Sequence, residues 1–72
     1  MNQDWELARI ALERLQARLT LAKIDSEQRH EIGNLLAISQ ANIEAVQDGV
    51  VEATPQRLRN IEAALLSASN RL

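Results

Sequence analysis

Seventy-two residues are enough for one domain, close to the smallest size at which a chain builds its own core. With no Cys and one His, His30, the chain can form neither a disulfide nor a His/Cys metal site, and no apolar run reaches the roughly eighteen residues of a membrane span. The formal charge of −2 is unevenly spread, for residues 32–56 carry Glu44, Asp48 and Glu52 and no basic side chain.

Trp5 is the only aromatic residue, so Leu, Ala and Ile must fill the core, and the scarcity of Gly and Pro marks an all-α chain. Asp4 and Glu6 precede any apolar run, which is unlike a signal peptide, and a cytoplasmic protein is expected.

The first predicted helix spans 4–23, with Asn2 or Asp4 as its cap. Trp5, Ala8, Leu12, Leu15, Leu19 and Ala22 recur at spacings of three and four and form one seam. Ile10, Ala17, Leu21 and Ile24 form a second stripe well round the helix. Arg9 and Glu13, four apart, are placed for an ion pair on the wet face. Two stripes need two surfaces to bury them. A second copy of the chain supplies the missing one most simply, so a homodimer using the Ile10, Ala17, Leu21 and Ile24 stripe is expected. The alternative buries both stripes within a three-helix monomer.

Asp25, with Gln28 three residues on, opens the next helix. From here the residues support two arrangements. In one, a helix over 26–36 ends at a tight turn through Ala37 and Ile38, and Ser39 caps a new helix over 39–48. In the other, Ile32, Leu36, Ser39, Ile43, Val46 and Val50 form one heptad seam along an unbroken helix, which buries Ser39 and leaves Leu35 and Ile38 off the seam. Gly49 after Asp48 is a helix stop. Val50 and Val51 follow in the loop, where adjacent exposed valines suggest contact with protein. Thr54 and Pro55 read as an N-cap and first helical position, opening a helix over 55–70 whose seam is Leu58, Ile61, Leu65, Ala68 and Leu72.

Gly33, Leu36, Ser39, Ile43, Val46 and Gly49, with Leu58, Ile61 and Leu65 in register downstream, resemble the helix-turn-helix pattern of the phage-repressor family, the Cro and lambda-repressor type. Ala37 departs from it, because that turn usually holds Gly for its left-handed backbone. The resemblance implies four helices with the break at Ala37; the alternative is a three-helix hairpin bundle with one long central helix. It also implies duplex DNA as a partner. The helix starting at Ser39 and Gln40 would enter the major groove and turn Gln40, Ala41, Glu44 and Ala45 to the bases, with Asn42 near the rim. Arg29, Arg57 and Arg59 would hold phosphates.

Three function classes follow. Catalysis is not expected: there is no Gly-rich phosphate loop or nucleophile elbow, and no cofactor, metal or small-molecule substrate is implied. Transcriptional regulation through DNA binding is the reading the resemblance favours. The acidic middle segment favours the alternative, a small helical antiactivator that binds and sequesters another regulatory protein, since a negative face complements a basic DNA-reading one.

Overall fold

The computed structural model describes residues 3–72, and these form three helices: α1 (Gln3–Leu21), α2 (Ser26–Gln47) and α3 (Pro55–Arg71). Each helix packs on the other two. Cross-contacts fix the directions. Gln16 bonds Gln40, Arg71 pairs with Glu31, and Arg18 reaches Ser69. Thus α2 runs antiparallel to α1 and α3, while α1 and α3 run parallel.

The helix boundaries follow local chemistry. Asp25 has extended backbone and its carboxylate accepts the Gln28 N–H at 2.8 Å, satisfying one of the donors left free at the start of α2. Thr54 does the same for Arg57 at 3.2 Å, and Pro55 occupies the first turn of α3, where its missing N–H costs nothing. Gly49 takes the left-handed conformation, φ 75°, that ends α2. Asp4 lies inside α1 rather than capping it, and Asn2 lies outside the described residues.

The core is the three seams. Trp5, Ala8, Leu12 and Leu15 from α1 meet Ile32, Leu36 and Ile43 from α2 and Ile61, Leu65 and Ala68 from α3. Leu19, Val46, Leu58 and Leu72 close the ends of the seams as partly buried contacts.

The four-helix expectation is corrected by α2. The two helices expected over 26–36 and 39–48 are one rod of 22 residues. Ala37 keeps negative φ, as does every non-Gly residue described, so the left-handed turn is absent. Ser39 is not an N-cap; it is 1 % exposed in the middle of the seam. Its hydroxyl donates to the Leu35 carbonyl one turn back at 2.9 Å, which satisfies a buried polar group without breaking the helix. Ile38, which the turn would have buried, is 58 % exposed. The three-helix hairpin bundle with a long central helix is the arrangement observed, and the described chain has no strand.

Candidate functional site

The residues of α2 expected to read DNA are spread around the helix. Gln40 and Glu44 turn toward α1: the Gln40 amide donates to Glu44 at 3.0 Å and its oxygen accepts from Gln16 at 2.9 Å. Asn42 lies on the opposite flank, donating to the Ile38 carbonyl and lining a small cleft with Arg57 and Asn60 from α3. Ala41 is exposed and Ala45 half-buried. The Ala45 carbonyl accepts the N–H groups of both Val50 and Val51, which folds the loop back over the end of α2.

Arg29 has a structural task. Its guanidinium donates to the Leu19 carbonyl at 2.5 Å and to the Ala22 carbonyl at 2.6 Å. These are carbonyls from the open C-terminal end of α1, so Arg29 caps that helix from α2 and complements its negative end. The cation expected to hold phosphate is half-buried and committed to the bundle. Arg57 and Arg59 remain exposed near the start of α3, where Arg59 bonds Gln56.

The second stripe of α1 keeps its outward direction at three of its four positions. Ile10 is half-buried, Ala17 is exposed, and Leu21 is 81 % exposed. Ile24 packs against the core instead, because it follows the end of α1 and the chain has already turned toward α2. Leu7, 55 % exposed, extends the stripe toward the N-terminus, giving Leu7, Ile10, Arg14, Ala17 and Leu21 at alternating spacings of three and four. Leu66 on α3, 63 % exposed, stands beside it. Leu7 and Leu66 were missed from sequence. The period of the stripe would have found Leu7; Leu66 adjoins the core residue Leu65 and gives no periodic signal of its own.

Between α1 and α3 runs an open groove of ≈ 540 Å³, floored by Ala8, Leu15 and Leu65 and walled by Leu7, Ile10 and Leu66. Asp4 lies toward one end, Arg14 and Arg18 toward the other, and Glu62 midway on the α3 side. None of these four is in an ion pair among the described residues, where the pairs are Arg9 with Glu6, Arg9 with Glu13, and Arg71 with Glu31. The Arg9 guanidinium is held above its ordinary pKa by its hydrogen bond to Glu6 and by the charges of Glu6 and Glu13.

At the far end of α2, Glu44, Asp48 and Glu52 are exposed, with Val50 75 % exposed among them and Val51 half-buried. Among the described residues no helix is long and apolar enough to cross a membrane, and no group of three or more acidic, His or Cys side chains is placed to hold a metal ion. No family model, curated protein or solved structure matches the chain.

Proposed function

We propose that this chain acts by binding another protein, as a small helical antiactivator that covers a basic surface of a regulatory protein, with no chemistry of its own. The observation that carries this reading is the unbroken α2. A helix-turn-helix reads DNA by projecting the N-terminal residues of its second helix beyond the rest of the domain. Here Ser39 lies mid-helix and buried, Gln40 is bonded to Gln16 of α1 and to Glu44 beside it, and Arg29 caps α1.

What remains presented at that end of the bundle is acidic and apolar: Glu44, Asp48, Glu52 and Val50. Such a surface is repelled by phosphate and attracted to the Lys and Arg side chains with which regulators hold DNA. Val50 and the edge of Val51 would supply the apolar contact that charge alone does not give. DNA binding, the reading suggested by the repressor resemblance, retains only Arg57 and Arg59 as exposed cations of its set.

Two measurements test the proposal together. In 50 mM salt, fluorescence anisotropy of a labelled random duplex should show no saturable binding; salt-sensitive binding that vanishes as ionic strength rises would overturn the proposal in favour of DNA. Affinity capture from the native host should then recover a basic regulatory protein with the natural chain and lose it with Glu44→Lys, Asp48→Lys and Glu52→Lys combined. Equal capture by both chains would show that the acidic end is not the contact.

A further inference from the structure

We infer that the groove between α1 and α3 holds a second copy of this chain, its α1 lying antiparallel across the first with a two-fold axis at the level of Ala11. The inference concerns a different face from the acidic end of α2, and stands or falls separately from the proposed function.

The apolar centre comes first. The exposed Leu7 and Leu66 and the half-buried Ile10 line one apolar groove with Ala11, whose short side chain lets another helix approach closely. Such a patch on a small domain is a contact surface in search of a partner. The charges then choose the partner and its direction. Asp4 and Arg18 lie seven positions on either side of residue 11, about 10 Å each way along the helix axis. A two-fold axis through that level reverses the second helix and sets Arg18 of each copy against Asp4 of the other. It also brings Arg14 of each copy toward Glu62 and Leu7 of the other, so its stem covers apolar surface while its head meets a carboxylate. All four charged positions, free of ion pairs within one copy, thus gain opposite partners between copies.

The other registers are worse. A parallel pair sets Asp4 against Asp4 and Arg18 against Arg18. An antiparallel pair centred lower, to include Leu21, stacks the two Arg14 side chains on the axis. Like charges facing each other across an interface suppress both. A closed two-fold contact also stops at two copies, because each patch is used once.

The dimer is expected to be modest. The bundle measures 36 × 18 × 18 Å, so its long side offers roughly 600 Å² per copy, at the lower edge of stable interfaces.

Sedimentation equilibrium of the full chain from 2 to about 500 µM, in low and in 0.5 M salt, tests this. The natural chain should move from one to two copies across that range, with weaker association in high salt as the pairs are screened. Asp4→Arg and Arg18→Asp should each weaken association about tenfold or more, and the double variant should recover most of it, because the antiparallel partner then presents Asp where Arg stood. Leu21→Glu should leave the dimer intact. Circular dichroism checks that the charge variants keep their helix content; should either lose it, Leu7→Gln and Leu66→Gln, which leave the charges and the helix ends alone, must abolish association instead. A natural chain that stays monomeric throughout, a double variant no better than its parents, or dissociation by Leu21→Glu would each overturn the inference.

Discussion

Replacing Ala37 by Gly gives a result whose sign is opposite for a continuous and a broken α2, and replacing Ser39 by Ala gives one whose size differs. In the continuous helix the Ser39 hydroxyl is buried and donates to the Leu35 carbonyl, which already belongs to the helix. Removing it loses a hydrogen bond worth about 0.5–1.5 kcal/mol net. That figure is already net of the hydroxyl's desolvation, and Ala returns about 0.5 kcal/mol of helix propensity. Ser39→Ala should therefore cost at most about 1 kcal/mol. Were Ser39 an N-cap, the same change would cost about 0.5–2 kcal/mol. Ala37 is exposed within α2, so Gly there should cost about 1 kcal/mol. In a left-handed turn it would instead relieve about 1–2 kcal/mol of strain. Urea unfolding followed by helix circular dichroism, with Trp5 fluorescence as a second probe, resolves these values. A change of 1 kcal/mol moves the melting temperature of a domain this size by about 4–8 °C. A stabilised Ala37→Gly, together with a Ser39→Ala loss above about 1 kcal/mol, would refute the continuous helix.

Gly33→Ala should stabilise the fold by about 1 kcal/mol in the same urea assay, because a Cβ there meets nothing within 4 Å and the residue is helical. Arg29→Met keeps most of the stem but removes both bonds to the end of α1, leaving the Leu19 carbonyl with only the Ala22 N–H at 3.3 Å; a loss of about 1–3 kcal/mol is expected, with amide exchange accelerated first at the end of α1. Trp5→Ala should cost about 3–5 kcal/mol, against a total of about 4–11 kcal/mol for a chain of this length, and leave circular dichroism showing a largely unfolded population near 40 °C.

Most of the bundle was written in apolar spacing. The α1 seam from Trp5 to Leu19, the α3 seam, the Asp25 and Thr54 caps, the Pro55 start and the Gly49 stop each depend on chemistry within four residues, and each stands in the structure where that chemistry puts it; Ala22, expected to continue the α1 seam, falls beyond the end of the helix and outside the core. The junction at Ala37 was not legible in this way. Ile32, Leu36, Ile43 and Val46 satisfy a broken motif and a heptad seam equally, so the decision fell to Ser39, whose hydroxyl can cap a new helix or bond back into an old one. Tertiary contact decides between them: in the rod Ser39 fits at the centre of the seam between the longer Leu36 and Ile43.

The candidate sites were legible to differing degrees. The outward stripe of α1 showed in its period at Ile10, Ala17 and Leu21, but not at Ile24, whose direction is set by the loop after the helix. Arg29 could not have been placed from its neighbours, because its partners lie seven and ten residues back on another element. A clue lay in α1 itself, which ends through Ala22, Lys23 and Ile24 without a glycine to satisfy its last carbonyls.

The separation between the two ends of α2 tests the account most directly. Spin labels at the exposed Gln28 and Gln47, read by pulsed dipolar spectroscopy in the full chain, report it. A straight helix at 1.5 Å per residue sets these Cα atoms about 28 Å apart. A helix-turn-helix bent through Ala37 and Ile38 would bring them to about 20 Å. A single distribution near the longer value supports the three-helix bundle and the functional reading built on it; a distribution near the shorter value contradicts both.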